Sequence, residues 1–291
     1  MASVWHLNTP WPKESDFDRV ISQANGLFIY IKTLVLALGH YEDPEESLQE
    51  ALQDSAGTGL ESLYTLYSNI LKVQVVHKKA EFQQMIEVLL TTSPYRALCD
   101  ETIAELAGVK PNLVKKWVDA LSSLFYRDEV ANGGIRVRHL SVYDFFVSDR
   151  CDYQVNLRDA DVKSGIACLD VMTMQLRFNI CNLEDSQLTN ANIKDLPSRV
   201  KQNISDALQY SCLHGLNHLC FPPANRGQCV LALGRFLEGL YPLFWIDLLS
   251  IMGMVPLGVP SLRRLLSWVR VSLATNLDSK VILTGCRVRI Q

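Results

Sequence analysis

The sequence predicts a mainly α, multi-helical protein with one embedded winged-helix unit of three helices and a β-hairpin. Three observations carry that expectation. Apolar residues recur at three and four positions through most of the chain, as in Phe82, Met85, Ile86, Leu89 and Leu90, which is the period of a buried helix face. The clearest departure is a pair of runs, Leu124 to Val130 and Ile135 to Val137, around Asn132-Gly133-Gly134, the residue types of a tight turn. The second run passes straight into a new helical pattern, Leu140, Tyr143, Phe146 and Val147, with His139 at the junction.

In chain order, Ser15 is placed to cap a helix from Asp16 to about Leu38, with Asp16 and Asp18 in its first turn. Phe17, Val20, Ile21, Ala24, Leu27, Phe28 and Ile31 form its inward face, and Gly26 marks a point where it can break. Asp43-Pro44-Glu45-Glu46 reads as a turn opening a helix with Leu48 and Leu52 inward. Gly57-Thr58-Gly59 separates it from a helix carrying Leu60, Leu63, Tyr64, Tyr67, Ile70 and Leu71. Ser93-Pro94 stops the Phe82–Leu90 helix. Asp100 is placed to cap the next, ended by Gly108, and Pro111 opens a third with Leu113, Val114, Trp117, Ala120, Leu121 and Leu124 inward. Beyond the hairpin, helices are expected at Ala160–Arg177, Ile193–Val200, Ile204–Leu219 and through Phe236–Trp268, with Val281–Ile290 as a strand-like tail.

The bulk properties are those of an ordinary globular chain: 291 residues, 48% hydrophobic and 20% charged, with net charge −3. That balance gives no general attraction to nucleic acid or anionic membrane. Eight cysteines without a C-x-x-C pair point to a reducing, cytoplasmic home. The start lacks a basic region followed by an apolar run, so no signal peptide is expected. Gly26–Leu38 is too short to span a bilayer and holds Lys32. Leu243–Val259 holds Asp247, at about 2.5–3.5 kcal/mol for a central aspartate, and reads as a buried helix.

Few residues carry chemistry. His139 stands where a helix begins, and backbone N–H groups and the helix dipole favour an anion there. It either meets a phosphate or merely orders the junction. Cys212, His214, His218 and Cys220 contain a histidine pair one helical turn apart, but their spacing does not close a tetrahedron and the acidic partner of H-E-x-x-H is missing; core packing is expected. Lys115, Lys116, Arg136 and Arg138 raise nucleic-acid binding, with Asp119, Asp128 and Glu129 set among them. No G-x-x-x-x-G-K-[ST] and no G-x-S-x-G occurs in these residues, so no catalysis is expected of them.

The run His139-x-Ser141-x-x-Asp144-Phe145-Phe146 resembles the His-x-Ser-Phe-x-Asp/Glu-Phe-Leu stretch in the winged helix of NACHT-type STAND regulatory NTPases, and most closely that of fungal NACHT proteins. Val142 stands where the family prefers Phe. Further runs are similar in the family's order: Ala24-Asn25-Gly26-Leu27-Phe28-Ile29-Tyr30, Leu60 to Leu71, Asp149-Arg150-Cys151, Phe178 to Leu183, Tyr210-Ser211-Cys212 with His218-Leu219, and Leu243 to Ser250. His214 and Gly215 replace a Tyr-Trp pair, with the loss of a buried Trp. The resemblance covers roughly Trp11 to Trp268. It implies residues 1–42 as a helix flanking the NACHT core, 43–79 as bridging helices, 80–157 as the winged helix, 158–270 as a helical domain and 271–291 as a loose tail.

The resemblance further implies a non-catalytic regulatory part of a signalling protein, one that holds the ADP-bound resting state. His139 would reach the β-phosphate. Phe28 stands where related proteins lean a proline on the adenine, so it falls on the adenine side. ADP or ATP with Mg would be bound only with a nucleotide-binding domain supplied. The expected partner is protein, either that domain or a second copy, with neither nucleic acid nor membrane. A helical interaction module without nucleotide is the alternative, and a DNA-binding winged helix the third reading.

Overall fold

A computed structural model describes residues 11–39, 43–53, 57–184, 188–219 and 226–274. Residues 1–10, Cys220 and the strand-like tail at Val281–Ile290 lie outside the described residues. The described chain is mainly helical, with fourteen α-helices, a short 3₁₀ turn and one two-stranded hairpin. They divide into two compact units.

The first unit comprises the described residues up to Gln83 with Ala97–Asp100 and Lys110–Val155. Helix α1 (Glu14–Ala24) and α2 (Phe28–Leu38) replace the single helix expected here. Asn25 and Gly26 take positive φ (43° and 80°), which ends one helix and re-aims the chain. Ser15 is not the cap: Lys13 holds that position without a side-chain bond, and Ser15 lies inside the helix. The inward face is also turned from the expected one. Phe17, Ile21 and Phe28 are exposed at 55%, 50% and 75%, while Asp16 and Gln23 are buried. The reason is a polar partnership that hydropathy does not see. Gln23 donates to the Leu52 carbonyl (2.9 Å) and accepts from the Tyr30 hydroxyl (2.7 Å), tying α1 to α2 and to α3 (Pro44–Gln53).

Gly59, at φ 66°, starts α4 (Leu60–Gln74) and donates its N–H to the Gln23 carbonyl (2.8 Å). Leu63, Tyr67, Ile70 and Leu71 of α4 are buried. Helix α5 (Lys79–Thr92) enters this unit with Phe82, whose ring meets Trp117 and Tyr153 edge-on at 5.4 and 4.9 Å between centroids. After α6 (Asp100–Ala107) comes α7 (Pro111–Ala120), which opens on a proline that needs no N–H partner. Strands β1 (Phe125–Asp128) and β2 (Gly134–Val137) pair antiparallel, Phe125 opposite Val137 and Asp128 opposite Gly134. Gly134 has no room for a side chain, because a Cβ would lie 2.7 Å from Ala97 Cβ. That approach lets the Ile135 N–H reach the Leu98 carbonyl at 2.8 Å. Asp100 does not act as the expected cap. It is the first residue of α6, and its carboxylate takes both arms of Arg127 at 2.8 and 3.1 Å, the bidentate geometry that favours Arg.

The second unit comprises Gln84–Arg96, Glu101–Val109 and the described residues from Asn156. Its centre is α9 (Leu157–Gln175) against α11 (Asp206–His218). Asn156 caps α9 and Ser205 caps α11, each side chain accepting backbone N–H bonds. Two glycines bring these helices close. A Cβ on Gly165 would lie 2.6 Å from Leu219, and one on Gly215 would lie 2.7 Å from Cys168 Cβ. Helix α9 thus occupies the space beside Gly215. Helix α10 (Leu196–Asn203) begins three residues later than expected. The single helical stretch expected at Phe236–Trp268 is three helices in part: α12 (Arg226–Glu238), α13 (Tyr241–Ile251) and α14 (Val255–Ala274). The apolar run Leu243–Val259 is thus broken between α13 and α14, with Trp245, Leu248 and Leu249 buried. No single helix among the described residues is long and apolar enough to cross a membrane. By length and composition only the bent pair Gly227–Glu238 and Tyr241–Ile251, at 78°, passes together.

Candidate functional site around His139

His139 is the N-cap of α8 (Leu140–Val147), with extended backbone at φ −155° and ψ 151°. Its Nδ1 accepts the Ser141 N–H at 3.1 Å and lies 2.8 Å from Ser141 Oγ. An imidazole nitrogen that accepts a backbone N–H carries no proton, so the neutral ring holds its hydrogen on Nε2. His139 is exposed, and the Nε2–H is the donor it offers outward.

This arrangement corrects the expectation that unpaired amides of α8 meet the anion. The Ser141 N–H is taken by His139 Nδ1, and the Val142 N–H goes to the His139 carbonyl at 3.0 Å. The histidine satisfies the helix end and becomes the outward donor in its place. Leu140, expected inward, is 68% exposed. The buried face of α8 is Ser141, Val142, Phe145 and Phe146, one step around from the pattern expected, because Ser141 is drawn in by a polar partner.

That partner is Tyr67. Its hydroxyl lies 2.9 Å from Ser141 Oγ, and its ring packs on Phe145 at 5.4 Å between centroids. Burial raises the Tyr67 pKa, opposed by the Ser141 and Thr33 hydroxyls, so the phenol keeps its proton. Thr33 approaches from α2 without closing a hydrogen bond of its own. Hydrogen-bonded hydroxyls thus run from Tyr67 of α4 to the cap of α8. Phe28 begins α2 five residues before Thr33 and is 75% exposed. Neither Phe28 nor His139 lines either of two cavities in this unit. One, of about 170 Å³, lies among Leu71, Lys72, Val75, Lys79, Phe145 and Tyr153. The other, of about 340 Å³, lies among α2, α3 and α4.

The basic residues of the hairpin are engaged internally. Arg127 binds Asp100 and Asp119, and Arg136 pairs with Asp128 at 2.8 Å. Arg138 donates to the Ser122 carbonyl and lies over the Tyr126 ring at 5.6 Å. Lys115 and Lys116 are exposed on α7. Two lysines are far short of the several phosphate contacts that duplex binding requires.

In the second unit, His218 is fully buried. Its Nε2 meets the Tyr210 hydroxyl at 2.7 Å and its Nδ1 meets Asp161 Oδ1 at 2.8 Å. His214 packs on Tyr95 and Tyr210, at 5.1 and 5.0 Å between centroids. Burial first, then His218 and Arg96, pull its pKa down to about 4, so it is neutral near pH 7. Burial pushes the Cys168 thiol up to about 12 and raises Cys212 as well. These are packed residues, as expected, and no group of three or more His, Cys, Asp or Glu residues that could hold a metal ion occurs among the described residues. The Tyr67–Ser141 and Asp161–His218–Tyr210 contacts had no local sequence signal, being 74, 57 and 8 residues apart. The His-x-Ser spacing is the one trace of the first that a sequence displays.

Comparisons with family models, with curated proteins and with solved structures find no match to this chain.

Proposed function

We propose that this chain is a non-catalytic regulatory part of a NACHT-type STAND protein, in which α8 presents His139 to the β-phosphate of ADP held by a nucleotide-binding domain. The observation that carries this reading is the hydrogen bonding of the ring. Nδ1 is committed to the α8 cap through the Ser141 N–H and hydroxyl, which leaves Nε2–H of this exposed residue for a further acceptor. The element order of three helices, hairpin and helix supports a winged helix around it.

The magnitudes define the role. One hydrogen bond to a charged group is worth about 1.5–3 kcal/mol, too little to hold a nucleotide without a phosphate-cradling loop. It is enough to favour one state of a switch. The test is to titrate ADP into this chain mixed with a separately expressed NACHT domain. His139→Ala should weaken ADP retention by about 10- to 150-fold, the same energy expressed as an affinity ratio. Equal retention by wild type and variant refutes the assignment.

A protein-interaction module without nucleotide is the second reading, and the exposed Phe17, Ile21 and Phe28 on α1 and α2 favour it. There, Phe28→Ser would weaken partner binding while His139→Ala would leave it unchanged. Duplex DNA binding has the least support, because Arg127, Arg136 and Arg138 are already engaged.

A further inference from the structure

We propose that the cavity walled by α4, the start of α5 and α8 binds a free α-amino acid with an apolar side chain. Its floor is apolar and preformed. Leu71 and Val75 at the end of α4 and Phe145 of α8 are buried there, with Tyr153 beside them. The two rings are held from behind. Phe145 packs on Tyr64 and Tyr67 at 5.3 and 5.4 Å between centroids, and Tyr153 meets Phe82 edge-on at 4.9 Å. A ligand therefore does not have to order the wall it binds. Val76 stands at the lip, 58% exposed, an apolar side chain that an occupant would cover. The volume is about 170 Å³, below the roughly 300–1,000 Å³ of pockets that take drug-sized ligands, so the cavity suits a small metabolite.

The rim sets the charge of the occupant. Lys72, Lys79 and Asp152 line the opening and are exposed. None of the three has an ion-pair partner among the described residues, whereas Lys78, next to Lys79, pairs with Glu81 at 2.9 Å. Unpaired charges of both signs around an apolar floor match a zwitterion with an apolar tail. Lys79 is the first residue of α5, where the helix dipole adds to its attraction for a carboxylate, and Asp152 draws the ammonium. A plain monocarboxylate of the same shape satisfies the lysines but faces Asp152, and the matching amine faces the lysines. The site is separate from the His139 donor, since His139 does not line it, and it requires no nucleotide.

Isothermal titration calorimetry of the whole chain at pH 7 tests this, with L-leucine as the probe. The expected Kd is roughly 1 mM, ordinary for a ligand of about nine non-hydrogen atoms. 4-Methylpentanoate, which lacks the amine, and 3-methylbutylamine, which lacks the carboxylate, should each bind about fivefold more weakly, the upper worth of a solvent-exposed ion pair. Glycine, without the apolar tail, should not bind measurably. Lys72→Gln/Lys79→Gln should weaken leucine by roughly tenfold. Asp152→Asn should weaken leucine yet tighten 4-methylpentanoate, a reversal that a merely structural role does not give. All three side chains are exposed, so circular dichroism and melting should match wild type and separate loss of binding from loss of fold. Lys115→Gln, on α7, should leave leucine binding unchanged. Absence of saturable leucine binding overturns the proposal, as does equal affinity for leucine and 4-methylpentanoate. Leucine binding that survives both rim variants lies elsewhere on the chain and overturns it too.

Discussion

Removing one hydroxyl from the Tyr67–Ser141 pair should cost more than removing both in proportion. Tyr67 is fully buried and Ser141 is 8% exposed. Tyr67→Phe keeps the ring on Tyr64 and Phe145 and leaves Ser141 Oγ with His139 Nδ1 as partner. Its cost is one net hydrogen bond, about 1 kcal/mol. Ser141→Ala leaves the Tyr67 hydroxyl buried, with only Thr33 near it, and Thr33 forms no bond. That is an unsatisfied polar group, about 1–3 kcal/mol. In the double variant neither hydroxyl is stranded, so its destabilisation should fall short of the sum by roughly 1 kcal/mol or more, within the range of coupled neighbours. Urea unfolding of the four proteins measures this cycle directly, provided the slope with denaturant is common to all. Energies that add within about 0.5 kcal/mol would show that the 2.9 Å contact carries no energy, and His139 would lose the support assigned to it.

Four further outcomes follow from the geometry. The folded His214 pKa, down to about 4 from 6.5, means that the unfolded state binds more protons between those values. Stability should therefore be fully present above about pH 6.5 and fall as pH drops toward 4, by well under the roughly 3 kcal/mol that 1.36 kcal/mol per pH unit would give, because solvent screens the half-buried ring. His214→Phe should flatten that part of a stability–pH curve, and an unchanged slope refutes the assignment. Gly215→Ala would press its Cβ into Cys168 at 2.7 Å and should cost about 1–3 kcal/mol, read as a lowered melting temperature; a neutral result would mean that α9 and α11 are free to separate. Cys168 and Cys212, both buried with raised pKa, should stay unreactive toward a thiol reagent at pH 8 until the chain unfolds, and modification at the rate of an exposed thiol would contradict their burial. Asp161→Asn should cost less than His218→Phe in urea unfolding, because Asn can still accept from Nδ1–H whereas Phe strands the Tyr210 hydroxyl; equal costs would show that Asn does not replace the carboxylate as that acceptor.

How far the residues alone could be read depends on whether the governing interaction is local. The helical class and the turn at Asn132-Gly133-Gly134 were legible because periodicity and turn chemistry are properties of neighbours. His139 at the head of α8 was legible for the same reason. The inward faces of α1 and α8 were not. Hydropathy turned Phe17, Ile21 and Leu140 inward, and the chain instead buries Gln23 and Ser141, whose partners Leu52 and Tyr67 lie 29 and 74 residues away. A helix rotates to satisfy a buried hydrogen bond when the alternative is an unpaired polar group, and nothing in an eleven-residue window records where that partner will be. Asp100 has the residue type of a cap, but a bidentate arginine competes for the carboxylate.

His139 and His218 show how one side chain serves two ends. His218 has both nitrogens bonded and no exposed surface, so all its donor capacity is spent on folding. His139 spends Nδ1 on the α8 cap and keeps Nε2–H. On the proposed reading that remaining donor could not run a switch alone. Carrying an equilibrium from 1:99 to 99:1 takes about 5.5 kcal/mol, roughly two to four times what one charge-assisted hydrogen bond gives. The balance must come from elements that move with it, and the structure names the nearest. Tyr67 and Ser141 join α4 to the α8 cap, so a displacement of α4 would reach the His139 ring through buried hydroxyls. Tyr67→Phe should then weaken ADP retention in the mixed-domain titration although Tyr67, fully buried, meets no nucleotide, whereas unaltered retention would confine the hydroxyl chain to stability.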